Sequence, residues 1–104
     1  MKDQHAKFLR KEELELAYSI KAKELYIKYP YLLLNDDEYK EIALNNALLT
    51  SWRKVLNRPP LQNLPDGSLE IVVDLLEAYK NSEALLVAHY KKSQQYRELS
   101  ETNV

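Results

Sequence analysis

Cysteine is absent from the 104-residue chain, which excludes disulfide bonds and zinc sites with thiolate ligands. The chain has a single glycine, so it cannot form the glycine-rich loops that hold the phosphates of nucleotides. One glycine and four prolines are also too few for the frequent turns of a β-sandwich or barrel. The composition therefore favours helices and excludes several common kinds of site.

A strong charge of one sign and a long apolar run are also missing. Fifteen basic and sixteen acidic residues give a formal net charge of −1, whereas a nucleic-acid-binding domain usually has a basic excess. No apolar run approaches the roughly 20 residues that span a bilayer, and the polar start at residues 1–5 lacks the apolar core of a signal peptide. We therefore expect a cytoplasmic protein that binds no membrane, and the charge balance disfavours nucleic acid as its partner.

The polar side chains form no catalytic or metal-binding pattern. The two histidines, His5 and His89, lie at opposite ends of the chain and make no His-x-x-x-His pair. The acidic run at 36–38 suits the positive end of a helix dipole better than a metal site. The few serines have no triad arrangement. The sequence therefore predicts no cofactor, no metal ion and no enzyme.

Helix signals divide the chain into three long segments. The first begins at Asp3 as N-cap and ends before Pro30, and the second runs from Asp36 to about Asn57 behind a capping box at 35–38. The third begins at Ser68 as N-cap, after a loop over 61–67 that contains a type I turn at 65–67. We expect all of these helices to pack in one domain.

The predicted fold is all-α, an irregular antiparallel bundle of three long helices. Four or five helices result if the second helix breaks near Asn45-Asn46 and the third near Asn81-Ser82. The apolar residues of the second helix surround its axis, which indicates a central position or a bend. The domain covers 1–104, with frayed ends at 1–3 and 100–104.

The first helix carries apolar residues on two opposite sides. At about 100° per residue, one stripe consists of Ala6, Leu9, Leu16, Ala17, Ile20 and Ile27, and the other of Leu14, Tyr18, Ala22 and Leu25. A surface helix of a monomer needs one stripe, so we interpret Leu14, Tyr18 and Leu25 as a partner-binding surface. The alternative is that one domain buries both stripes, with the apolar connector at 31–34 covering the second face.

A basic cluster adjoins the only tryptophan and consists of Trp52, Arg53, Lys54 and Arg58. Tryptophan and arginine are enriched at binding hot spots, and cations beside an aromatic ring also suit phosphate contacts. The alternative is a core tryptophan with a solvated basic rim at a helix C-terminus. The eight tyrosines leave a similar choice open, because tyrosine suits both interfaces and the edge of a small core.

The sequence thus predicts a small non-enzymatic protein–protein interaction module that acts by steric occlusion of a partner. An inhibitor, adaptor, chaperone or immunity protein of the kind carried by phages or plasmids fits this description by analogy. A homodimer or an obligate hetero-complex is expected, with contacts through Leu14, Tyr18, Leu25, Trp52, Arg53, Lys54 and Arg58. The alternatives are a helical nucleic-acid-binding regulator and a structural subunit of a larger assembly.

Overall fold

A computed structural model describes the backbone of residues 2–65 and 67–102 and the side chains of 10–65 and 67–99. This part of the chain contains no strand, so the all-α fold is confirmed. Its helices are α1 (Lys2–Lys28), α2 (Asp36–Leu48), α3 (Trp52–Val55), α4 (Pro60–Asn63), α5 (Ser68–Asn81) and α6 (Glu83–Thr102), with a 3-10 turn at Pro30–Leu32.

The ends of α1 follow the sequence signals at one side only. The helix already includes Lys2, so Asp3 lies inside it and is not the N-cap. At the other end α1 stops at Lys28, just before Tyr29-Pro30, because proline restricts the preceding residue and donates no backbone hydrogen bond. Positions 1, 103 and 104, where fraying is expected, lie outside the described residues.

The capping box at the start of α2 is confirmed. The Asn35 side-chain oxygen accepts from the Glu38 amide at 2.8 Å, and the Glu38 carboxylate accepts from the Asn35 amide at 3.2 Å. The second predicted helix is broken: α2 ends at Leu48, and Leu49 takes the left-handed conformation at φ 59°. A separate turn, α3, follows and carries Trp52.

Two details of the segment before α5 correct the sequence expectation. Residues 60–63 form the single-turn helix α4 inside the predicted loop. Gly67 is the third residue of the turn that the Ser68 amide closes by donating to the Pro65 carbonyl at 3.1 Å, and its φ of 83° is positive, whereas the third residue of a type I turn has a negative φ. Gly67 is therefore the N-cap of α5, and Ser68 is its first helical residue without a side-chain cap.

The third predicted helix breaks where the sequence indicated. Ser82 interrupts it with an extended backbone, and the Ser82 hydroxyl accepts from the Leu85 amide at 3.2 Å at the start of α6. The break lets α6 turn away from α5 and pack on α2.

Helix α2 is the centre of the bundle and contacts α1, α5 and α6. Its residues 42–46 are all buried, as its all-round apolar pattern predicted. Asn45 bonds to Ser93, while Glu41 lies near Arg97, so α2 and α6 run in opposite directions. Arg10 pairs with Glu70 and Glu24 with Lys80, so α1 and α5 run in the same direction.

The two stripes of α1 have opposite environments. Ala22 and Leu25 are completely buried, Tyr18 is 6% exposed, and Leu14 is half-buried against the core formed with α2 and α5. Leu16, Ile20 and Ile27 of the other stripe face solvent, with exposed fractions of 62%, 49% and 75%, whereas Ala17 is half-buried against the core. The side chains of Ala6 and Leu9 lie outside the described residues.

This arrangement reverses the predicted use of the stripes. Leu14, Tyr18 and Leu25, expected as a partner-binding surface, pack inside their own chain. The physical reason is that α2 and α5 both pack against the same side of α1. Ala22 is completely buried there, and its small side chain allows a close approach to the α1 backbone.

Within the described residues, no helix is both long and apolar enough to cross a membrane.

Candidate functional site

An open groove of about 580 Å³ lies beside Trp52, where α1, α2 and α3 meet the chain that leads to α4. We call it the Trp52 groove. It is lined by Tyr18, Asp37, Lys40, Glu41, Leu44, Trp52, Arg53, Arg58, Pro59 and Pro60. Four of the seven predicted contact residues therefore meet in one place. They are Trp52, Arg53 and Arg58 from the basic cluster and Tyr18 from the α1 stripe.

Asn45 determines where Trp52 lies. The side-chain oxygen of this fully buried asparagine accepts from the Trp52 amide at 2.8 Å, and its nitrogen donates to the Ser93 hydroxyl at 2.8 Å. A side chain of α2 thus replaces the helical partner that the first amide of α3 lacks, and it ties that turn to α6. The position of Trp52 is consequently a property of the core and not of a free loop.

Two guanidinium groups flank the Trp52 ring. The Arg53 guanidinium carbon lies 5.1 Å and the Arg58 carbon 5.8 Å from the ring centroid, both within the range of cation–π attraction. Trp52 is only 8% exposed, so it acts mainly as a support that orients the two arginines. Their outer edges remain available, because both residues are exposed.

The two arginines differ in their acidic partners. Glu41, whose side chain is 16% exposed, lies 3.2 Å from Arg53 and 3.4 Å from Arg97. Glu41 is therefore already shared between two guanidinium groups. Arg58 has no carboxylate within ion-pair distance among the described residues, so its donors face the groove uncompensated.

The opposite wall of the groove consists of Tyr18 and Lys40. The Lys40 ammonium lies 5.2 Å from the Tyr18 ring centroid and 3.9 Å from the Asp37 carboxylate. Burial, and then the negative charge of Asp37, raises the pKa of the Tyr18 phenol. Tyr18 therefore stays neutral at physiological pH and offers a ring and a hydroxyl, not an anion or a general base.

The structure brings together only some of the predicted contact residues. Trp52, Arg53 and Arg58 come together in the groove, and Tyr18 joins them as a buried wall. Lys54 is exposed on α3 but does not line the groove, and Leu25 is in the core. Sequence reasoning missed Lys40, Glu41 and Arg97. Lys40 contacts Tyr18, and Glu41 pairs with Arg53 and Arg97, and these partners are distant in the sequence. The one local signal was the i, i+3 spacing of Asp37 and Lys40.

A second, smaller groove receives Leu14. Its volume is about 410 Å³, and it is lined by Arg10, Lys11, Leu14, Leu61, Leu64, Pro65, Gly67, Leu69 and Glu70. The floor is leucine, and Arg10 and Glu70 close one edge with an ion pair of 2.9 Å. Since Arg10 and Glu70 already pair with each other, whereas Arg58 has no such partner, the Trp52 groove is the stronger candidate site.

A pair of titratable side chains, the buried Tyr79 and the half-buried His89, lies away from both grooves. The Tyr79 hydroxyl and His89 Nδ1 are 2.7 Å apart, and the pKa of His89 is lowered by burial and then by Lys92. Burial raises the pKa of Tyr79, so both groups are neutral in the fold and hold α5 against α6. No cluster of metal-ligating side chains occurs in the part of the chain that the structure describes.

Comparison of the chain with protein families, with characterised proteins and with solved structures found no match. We therefore infer the function from the chemistry of the site itself.

Proposed function

We propose that the protein is a non-enzymatic protein–protein interaction module that binds an acidic segment of a partner in the Trp52 groove and thereby occludes the partner's surface. The observation that supports this most directly is Arg58, which rests 5.8 Å from the Trp52 ring without an acidic partner in the described chain. A guanidinium fork held by a ring is preorganised to bind a carboxylate through two parallel hydrogen bonds.

The other charges of the groove favour the same kind of ligand. Glu41 is engaged by Arg53 and Arg97, and Asp37 lies near Lys40. An incoming acidic group therefore meets its strongest unmatched charge at Arg58, which the largely covered Trp52 ring orients. Central arginine and aromatic anchors of this kind dominate the energy of many interfaces.

A helical nucleic-acid-binding regulator remains the second candidate for the same cations. The geometry favours it less, because stacking on a base requires a free aromatic face and Trp52 is 8% exposed beneath two arginines. A structural subunit of a larger assembly has no specific observation in its favour. A cytoplasmic location, an inhibitor or adaptor role and the absence of catalysis are parts of the proposal.

The proposal can be tested through the fluorescence of Trp52, the only tryptophan of the chain. We expect glutamate-rich peptides to change the emission, and glutamine-substituted peptides of the same length to leave it unchanged. Arg58→Gln should remove the response, because it deletes the unpaired guanidinium. Lys91→Gln, a matched loss of one exposed charge on α6, should keep it.

Equal responses to the acidic and the amide peptides would refute the proposal, as would an unchanged response in Arg58→Gln. Affinity capture from the native host, with nuclease added, then identifies the partner. A stoichiometric protein that wild type and Lys91→Gln retain but Arg58→Gln loses supports the interaction module. Partners that disappear with nuclease, and binding that falls steeply with salt, would favour the nucleic-acid-binding regulator.

A further inference from the structure

The exposed stripe of α1 is separate from the Trp52 groove. Leu16, Ile20 and Ile27 form one line along the outer side of α1, at least 49% exposed each, while α2 and α5 occupy the opposite side. Single exposed apolar residues are common on soluble domains. Three on one line of a long helix form a continuous seam that a second helix can cover.

Two charged residues complete this line at the spacing of a coiled-coil seam. Glu13 and Lys23 share the face with the three apolar residues, and positions 13, 16, 20, 23 and 27 alternate in steps of three and four. Glu13 and Lys23 are both exposed, and neither forms an ion pair with the rest of the described chain. The seam therefore has one unmatched acid and one unmatched base.

The order of these residues is symmetric about the level of position 18. Leu16 and Ile20 lie equally far on either side of that level, and Glu13 and Lys23 lie equally far beyond them. A two-fold axis through this level, perpendicular to α1, places Leu16 against Ile20 and Glu13 against Lys23 of a second copy. The same register sets Ile27 beside backbone position 9, a leucine in the sequence.

We propose that this face joins two copies of the chain in an antiparallel homodimer. Every layer of the seam then pairs apolar with apolar or acid with base, and each pair occurs twice, as a two-fold interface requires. A parallel dimer would instead set Glu13 against Glu13 and Lys23 against Lys23, which repel. The charge pattern thus selects both the occupant, a second copy, and its direction.

Sedimentation equilibrium of the full chain over a concentration series tests the association. We expect wild type to dimerise and Ile20→Glu to be monomeric, because a carboxylate replaces the central apolar layer. Ile71→Glu is the matched control: Ile71 lies on α5, away from the seam, and is 50% exposed against 49% for Ile20. It should dimerise like wild type, and circular dichroism should show all three proteins folded.

Charge reversal tests the register without removing an apolar contact. Lys23→Glu sets acid against acid in both charged layers and should weaken dimerisation by about tenfold or more. The double variant Glu13→Lys, Lys23→Glu restores opposite charges in the antiparallel register and should recover wild-type association. In a parallel dimer each position faces its own copy, so like charges would face each other in wild type and in both variants. The double variant would then show no recovery relative to Lys23→Glu.

Because the chain has no cysteine, single cysteines report the direction of the helices. Ser19→Cys lies near the proposed axis, where the two copies of position 19 are offset by about 3 Å along the helix, and should form an intermolecular disulfide on oxidation. The two copies of Lys23→Cys are about 15 Å apart along the axis and should not. A wild-type monomer at all concentrations, equal effects of Ile20→Glu and Ile71→Glu, or cross-linking through position 23 would each overturn the proposal.

Discussion

Replacing Asn45 with alanine tests the link between the core and the Trp52 groove. Asn45 is fully buried and satisfies two groups, the Trp52 amide and the Ser93 hydroxyl, each at 2.8 Å. The Ser93 hydroxyl can rotate to a helical carbonyl of α6, but the Trp52 amide is the first of α3 and has no acceptor within its own helix. A buried donor left unsatisfied costs about 1–3 kcal/mol, and the lost amide leaves a small cavity besides.

We therefore expect Asn45→Ala to lower the free energy of unfolding by about 3 kcal/mol. For a domain of this size, this loss lowers the melting temperature by roughly 10–20 °C. Urea unfolding followed by circular dichroism measures the change. Trp52 emission of the folded variant should also move to longer wavelength, because α3 loses its anchor and water reaches the indole.

Ser93→Ala is the control for this prediction. It leaves the bond between Asn45 and the Trp52 amide intact and removes only the second partner of Asn45, so it should cost about 1–2 kcal/mol and leave the Trp52 emission unchanged. If Asn45→Ala loses less free energy than Ser93→Ala, or keeps the wild-type emission, the inferred positioning of α3 by α2 is incorrect.

Three further predictions concern the fold. Leu25→Ala should destabilise the chain by about 2–5 kcal/mol in urea unfolding, whereas Leu16→Ala should change stability by less than about 0.5 kcal/mol; similar losses would contradict the opposite burial of the stripes. Leu49→Gly should raise the melting temperature slightly. Leu49 is 73% exposed and has a left-handed backbone with φ 59°, so glycine loses little packing and removes about 1 kcal/mol of backbone strain; a lower melting temperature would contradict this. The pKa of His89 lies below its usual 6.5, so the fold favours the neutral imidazole, and the free energy of unfolding should fall as the pH drops through 6.5 toward the native pKa. His89→Gln should remove this part of the pH dependence, which is measured as the free energy of unfolding between about pH 8 and pH 5.

Much of the secondary structure could be predicted from the sequence because its causes are local. The capping box links residues three apart, proline ends α1, and Asn81-Ser82 interrupts the last stripe. The N-cap of α5 was predicted one residue too late because glycine and serine both suit that position. The N-cap has a positive φ, which glycine adopts most easily, so Gly67 occupies it. The end of α2 at Leu48 had no conventional signal, since leucine rarely adopts the left-handed conformation of Leu49.

The candidate site was only partly predictable for the same reason. Trp52, Arg53 and Arg58 are close in the chain, so the sequence could group them. Asn45, which positions Trp52, and Glu41, which pairs with Arg53, belong to α2. Arg97, the second partner of Glu41, belongs to α6. Their contacts depend on how the helices pack, which no short-range spacing records.

The sequence by itself determined that this chain is helical, approximately where α1, α2, α5 and α6 begin, and that α1 has two apolar sides. Only the tertiary structure decided which side is core. Both stripes have similar apolar content, and burial is a property of neighbours: α2 and α5 close on Ala22 and Leu25, and leave Leu16, Ile20 and Ile27 in solvent.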